Sequence, residues 1–269
     1  MTENMNRAFM YGESVFTTMR MKENQVKDWD LHFDRLKRGV EFLYGPFSQG
    51  DNFGQDLRER LENRWQQENG HKILRLTIYR DQEERGLIRR SHMSVADLKV
   101  HLHSANWDGE RQKNQTLSLS LRTCAAPLRP YFWPPYLKAG NYLPTIMSQK
   151  FYLQPGDDDL LFLSHDDTVL ESSVANIFIV RKDKLFTAPL GPQVLEGVMR
   201  KKTLDHYQDF FKDCDEDASS LDQLYKSDAV FATNSVRGVM MIGKVDDRDL
   251  TIRPETLEKL MRLHEHLMS

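Results

Sequence analysis

Two spacings of apolar residues organise this chain. Residues 13–20 (Glu-Ser-Val-Phe-Thr-Thr-Met-Arg) are rich in β-branched and aromatic side chains that suit a pleated strand. From about Asp30, the residues Leu31, Leu36, Val40 and Leu43 fall near a 3.6-residue period, which predicts a helix that Asp30 can cap. Leu57, Leu61 and Trp65 mark a second amphipathic helix over 56–67, ended by Gly70. Alternation in Lys-Ile-Leu-Arg-Leu-Thr-Ile-Tyr-Arg predicts a strand at 72–80, and another is expected at 95–103. The polar stretch 105–115 contains Asp108-Gly109, has little to bury and reads as a linker. It divides an N-terminal domain, 1–104, from a C-terminal domain, 116–269.

Past the linker, strands predominate. Leu117, Leu119 and Leu121 alternate with polar residues, as in a half-buried strand. A loop rich in proline and aromatic residues, 127–135, leads into an expected helix containing Lys138. Short strands are predicted at 160–163, 168–172 and 176–180, separated by polar turns. A helix should run from Gly197 to about Phe211, a strand from Ala229 to Thr233, and a closing helix from Pro254 to Met268. Helices and strands mixed in two unequal halves indicate an α+β or α/β protein, and periodicity does not choose the topology.

Composition narrows the partners. With 39% hydrophobic and 29% charged residues, the 269-residue chain has the make-up of a folded soluble protein. A net charge of −3 gives no bulk attraction to nucleic acid or to a membrane surface. No apolar run is long enough to cross a bilayer, and the first residues lack the pattern of a secretion signal. Cys124 and Cys214 are expected to be reduced thiols in a cytoplasmic protein. The nine histidines show no metal-ligand spacing, so no metal site is expected.

Four places could carry chemistry. Lys138 sits in Tyr-Leu-Lys-Ala-Gly-Asn-Tyr-Leu, and a partly desolvated lysine amine is a usable nucleophile. Glu171 lies within a strand pattern, where a carboxylate needs either a cationic partner or the solvent face. Arg35, in His-Phe-Asp-Arg-Leu, is a solvated helix residue or a phosphate ligand. Asn234-Ser235 ends a strand, where a turn can offer hydroxyl and backbone donors to an anion. Spacing alone does not decide among these readings.

The ordered set of segments is more specific. Tyr-Gly-Glu-Ser-Val-Phe-Thr-Thr-Met-Arg (11–20), His-Phe-Asp-Arg-Leu (32–36) and Lys-Ala-Gly-Asn-Tyr-Leu (138–143) are followed by Leu-Glu-Ser-Ser-Val-Ala-Asn-Ile-Phe (170–178). Val-Leu-Glu-Gly-Val-Met-Arg (194–200) and Phe-Ala-Thr-Asn-Ser-Val-Arg-Gly-Val (231–239) complete the series. Together they resemble the fold-type IV pyridoxal-phosphate enzymes: branched-chain aminotransferases, D-amino acid aminotransferases and 4-amino-4-deoxychorismate lyases. The resemblance implies a two-domain fold, with a smaller N-terminal α/β domain and a larger C-terminal pseudo-barrel that binds pyridoxal 5′-phosphate. It implies that Lys138 carries the cofactor and shuttles protons, and that Glu171 keeps the pyridine nitrogen protonated. Arg35, the backbone amides of Val198 and Met199, and the Ser235 hydroxyl would hold the phosphate, and Tyr142 the phenolic oxygen. A homodimer is also implied.

Within that family, Phe16-Thr17-Thr18 is similar to the lyases, whereas transaminases often have glutamate after the aromatic residue. The favoured reading is therefore an aminodeoxychorismate lyase, forming 4-aminobenzoate and pyruvate for folate biosynthesis. Thr18 would position a proton donor, Arg85 would bind a substrate carboxylate, and Arg129 would help shape the entrance. The alternatives are an aminotransferase of branched-chain or D-amino acids and a non-catalytic relative that acts as a binding protein. Two departures stand out: Gly-Glu-Ser replaces the frequent Gly-Asp-Gly at 12–14, and an N-terminal strand pair usual in the family is expected to be missing or rearranged.

Overall fold

A computed structural model of the protein describes residues 6–45, 52–66, 68–80, 97–108, 118–125 and 133–269. The chain divides into two compact units, Met1–Trp107 with Tyr136–Tyr142, and Asp108–Pro135 with Leu143–Ser269. The architecture is α+β.

In the first unit, a short helix α1 (Arg7–Tyr11) ends at Gly12, whose φ of +68° is the left-handed turn that glycine adopts without strain. There follow β1 (Ser14–Lys22), β2 (Gln25–Val26), α2 (Trp29–Tyr44), α3 (Phe53–Trp65), β3 (Lys72–Arg80) and β4 (Leu98–Asn106). The antiparallel sheet has the order β2-β1-β3-β4. Because side chains alternate across a strand, Val15, Thr17, Met19 and Met21 share one face with Leu74, Leu76 and Ile78. All of these are buried, as are Leu36 and Val40 of α2 and Leu57 and Leu61 of α3. Trp29 fastens the two helices: its indole N–H donates to Glu62 at 2.6 Å, and its ring meets Trp65 edge-on. Phe16, Thr18 and Arg20 point to the other face, beside Arg75 and Thr77.

Two expectations need correcting here. The expected linker begins too early, since Ala105 and Asn106 pair with Ile73 and Lys72 at the end of β4. Lys138 is also not helical. Lys138 O accepts from Phe16 N–H, Gly140 N–H donates to Ser14 O, and Ala139 bridges Val15. Residues 138–140 thus lie along the edge of β1, and the helix begins only at Leu143. A long-range pairing of three residues leaves no period in the sequence.

The second unit contains β5 (Leu119–Cys124), α4 (Leu143–Tyr152), β6 (Asp159–Leu163), β7 (Val169–Ser172), β8 (Asn176–Arg181), β9 (Lys184–Thr187) and α5 (Val198–His206). After a 3₁₀ turn at Tyr207–Asp209 come β10 (Asp213–Asp215), α6 (Leu221–Tyr225), β11 (Ala229–Asn234), β12 (Gly238–Val245), β13 (Arg248–Asp249) and α7 (Pro254–Met268). The order β8-β11-β12-β5-β6-β7 returns to β8 through Glu171 and Asn176, which closes a six-stranded barrel. Leu121, Leu161, Ile177, Val230, Met240 and Ile242 pack in one buried cluster, and the alternate residues Phe178, Phe231, Val239 and Met241 form another. Met199 of α5 and Leu260, Leu263 and Leu267 of α7 belong to that second cluster. Leu260, Leu263 and Leu267 thus form an apolar stripe along one side of α7.

Candidate active site

The first unit concentrates chemistry around Phe16. Lys138 Nζ lies 4.9 Å from the centre of that ring and donates to the Tyr142 hydroxyl at 3.0 Å. Tyr142 itself packs on Phe16 with ring centres 5.5 Å apart. The guanidinium of Arg75 stands 3.6 Å from the same ring. Burial holds the pKa of Arg75 below the usual arginine value, and the neighbouring Tyr142 works in the opposite direction. Thr18 is directly opposite Arg75 in the β1–β3 register, one alternation along from Phe16. The face that carries Lys138 therefore presents an amine, a phenol, a hydroxyl and a guanidinium. Arg75 was missed in the sequence; its only trace is a charged residue at the centre of an otherwise regular strand.

Arg35 lies on the opposite sheet face from Thr18. It is 6% exposed and donates to Thr17 Oγ1 at 3.0 Å, while that hydroxyl lies 2.7 Å from His32 Nδ1.

The second unit builds its site around Glu171, which is 4% exposed. Glu171 Oε2 accepts from Leu195 N–H at 2.8 Å and from Asn176 Nδ2 at 3.1 Å. The same Asn176 amide donates to Leu195 O at 2.8 Å. One amide side chain thus ties the carboxylate to the loop that enters α5. Gly197 caps α5 without a side-chain hydrogen bond, so the first N–H groups, those of Val198 and Met199 among them, have no helical acceptor. That helix start favours an anion. α5 packs on β11, which runs into the turn at Ser235. Asn234 Oδ1 shapes that turn by accepting from Val236 N–H and Arg237 N–H. Two residues before Ser235, the Thr233 hydroxyl is buried and has no hydrogen-bond partner among the described residues. Asn176 and Thr233, which face each other in the β8–β11 register, were not singled out in the sequence. Asn176 was hidden because an asparagine in a strand has many uses.

Most of the sequence-predicted residues fall into two groups. Lys138, Tyr142 and Thr18 share one face of the first unit. Glu171, Val198 and Met199 are joined through Asn176 and Leu195 in the second, where Ser235 follows the β11 strand that α5 packs on. Arg35 is not brought together with either group, being held to Thr17 on the other face of the first sheet. Arg85 and Arg129 lie outside the described residues.

A family model for class IV amino-transferases matches residues 14–245. The chain belongs to that family. An aminodeoxychorismate lyase from Vibrio harveyi is 23% identical over 248 residues, covering 89% of this chain and 86% of that protein. The crystal structure of 4-amino-4-deoxychorismate lyase from Pseudomonas aeruginosa is 21% identical, with a TM-score of 0.78 over 100% of this chain and 96% of that one. A hypothetical aminotransferase from Mycobacterium tuberculosis in its PLP-bound form is 19% identical, with a TM-score of 0.79 over 100% and 93% of the two chains. These likenesses agree on the fold over its whole length.

Proposed function

We propose that the protein is a pyridoxal-phosphate-dependent aminodeoxychorismate lyase, which converts 4-amino-4-deoxychorismate into 4-aminobenzoate and pyruvate. The residues present fit the cofactor. A lysine amine paired with a phenol suits its aldehyde end, and a buried carboxylate held by amide donors suits a protonated ring nitrogen. The uncapped start of α5, Ser235 and the Thr233 hydroxyl, which has no partner among the described residues, suit its phosphate. Arg35 is the further phosphate ligand that the family likeness suggests. When bound, the cofactor supplies a ring that accepts electrons from the substrate carbon.

The chain's own residues do the rest. Lys138 holds the cofactor and, as a free amine, takes the proton from the substrate carbon at Nζ. Tyr142 orients that amine from 3.0 Å. Asn176 and Leu195 fix Glu171 so that its charge faces one direction. Thr18, opposite Arg75 on the same sheet face as Phe16, supports the lyase reading: its hydroxyl would help position a proton donor for the departing enol. Arg75 offers a cation to a substrate carboxylate, Arg85 is assigned to one by likeness alone, and Arg129 is proposed only to help shape the entrance. The products together account for every atom of the substrate, so no second substrate is consumed.

The active protein is read as a cytoplasmic homodimer. Both cysteines are free thiols, which suits a reducing compartment. No helix among the described residues is long and apolar enough to cross a membrane. α4 also exposes a row of apolar side chains that a second copy would cover.

The deciding experiment supplies the cofactor-loaded protein with 4-amino-4-deoxychorismate and, separately, with leucine or D-alanine plus 2-oxoglutarate. Equimolar 4-aminobenzoate and pyruvate are expected from the first mixture. Glutamate from the second, with no 4-aminobenzoate from the first, would establish the aminotransferase instead.

A further inference from the structure

At the end of α5 opposite its anion-binding amides, two helix ends present a set of metal-ligand side chains. His206 is the last residue of α5, Asp209 lies three residues further in the 3₁₀ turn, and His266 is in the last turn of α7. One ligand atom from each lies within 4.8 Å of the other two, and all three side chains are exposed. Among the described residues no other group of three or more His, Cys, Asp or Glu side chains meets this spacing. Sequence spacing hides the set, because 57 residues separate Asp209 from His266 and only the packing of α7 brings them together.

We propose that His206, Asp209 and His266 form a surface site for a borderline divalent cation of the zinc type, and that filling it clamps α7 to the end of α5. Three features support the assignment. Two imidazoles and a carboxylate are the donor set that such ions prefer over magnesium or calcium. Each histidine lies in the last turn of its helix, where the macrodipole is negative and a cation is favoured. The frame is already in place, since Lys202 Nζ, one turn before His206, donates to Leu267 O, next to His266, at 2.7 Å. Leu263 and Leu267 are also fully buried beneath the same stretch of α7.

Bond lengths near 2.0–2.1 Å place tetrahedral ligand atoms about 3.4 Å apart. The three atoms therefore close by an ångström or so, which the exposed side chains accomplish through χ rotation. The two imidazoles pack edge to face with centres 4.7 Å apart, and His266 also meets the Phe210 ring at 5.7 Å. Three protein ligands leave a coordination position for water. The tie would join α5, whose first turn offers the anion-binding amides, to the helix that covers the outer barrel cluster.

The test uses cofactor-loaded, tag-free protein stripped with chelator, titrated with Zn²⁺ by calorimetry and followed by thermal melting. Native protein should bind about one equivalent that His206→Ala, Asp209→Asn and His266→Ala do not, with affinity falling by about 100-fold in each variant. At a hundredfold excess over Kd, Tm should rise by about 5 °C in the native protein only. Mg²⁺ should do neither. Because the three side chains are exposed, the metal-free variants should melt with the native protein and keep its cofactor absorbance, which separates loss of metal from misfolding. Absence of that equivalent, or its persistence in the His206→Ala/His266→Ala double variant, overturns the proposal whether or not the protein is a lyase.

Discussion

Backbone pairing to β1, and not a helical turn, places Lys138 against Phe16, and Tyr142 then fixes where its amine points. Tyr142→Phe keeps the ring contact and removes the hydroxyl. Lyase kcat/KM should fall by about tenfold, the effect of losing one hydrogen bond of ~1.4 kcal/mol. A borohydride-trapped adduct at Lys138 should still appear by mass spectrometry, whereas Lys138→Ala should show none. Unchanged kcat/KM in Tyr142→Phe would remove the phenol from the mechanism. The cysteines make a second case. Burial, with the charge of Glu216 adding to it, pushes the Cys214 thiol up to about 11, and Cys124 is only 1% exposed. A raised thiol pKa leaves the reactive thiolate scarce near neutrality and lets it appear only as the pH climbs towards 11. Native protein at pH 7.5 should therefore resist iodoacetamide at both cysteines, and urea-unfolded protein should take up two equivalents. Rapid native alkylation of Cys214 would contradict its environment.

At the scale of elements, the start of α5 and the β7–β8 junction act as one piece. A methyl group at Gly197 would occupy the place of Asn176 Oδ1, the side chain that ties Glu171 to Leu195. Gly197→Ala should therefore cost about 1–3 kcal/mol of stability through overpacking, and it should weaken cofactor retention more than a solvent-facing change such as Lys201→Ala. Equal retention in the two variants would show that Asn176 can yield without disturbing Glu171. The legible elements were those with a strong local signal. α2 followed its helical period and β3 its alternation, β1 its β-branched and aromatic content, β8 and β11 their short apolar runs bounded by polar turns, and α7 its proline start, each to within a few residues. β12 was missed, although Val239, Met240, Met241 and Ile242 are buried, because Gly238 and Gly243 bracket the run and glycine disfavours a strand. β9 and β10 escaped because charged residues occupy most of their exposed positions, with Lys184 paired to Asp213 and Asp215. Of the site, Lys138 and Glu171 stood out only through the ordered motifs. Arg75 and Asn176 needed the pairing of strands distant in sequence.

At the scale of the whole molecule, α4 is built the wrong way round for a helix of a monomer. It buries Thr145 and Ser148 while leaving Leu143 66%, Ile146 56% and Phe151 69% exposed. Met147 and, from the β7–β8 turn, Val174 at 53% add to this apolar surface. A contiguous patch of this kind calls for a cover, and in a two-fold assembly each residue is counted twice. The native protein should therefore elute and scatter light as a species of about twice 31.6 kDa. Phe151→Asp removes two buried phenyl rings per dimer and introduces two charges into the interface. At ~1.5–3 kcal/mol per ring this weakens association by about 100-fold or more. Because Phe151 makes so little of the core of its own chain, the variant should keep its helix signal and its folded monomer while its mass halves at micromolar concentration. A monomeric native protein at all concentrations, or a Phe151→Asp variant still at the dimer mass, would mean that this face of α4 is not where two copies meet.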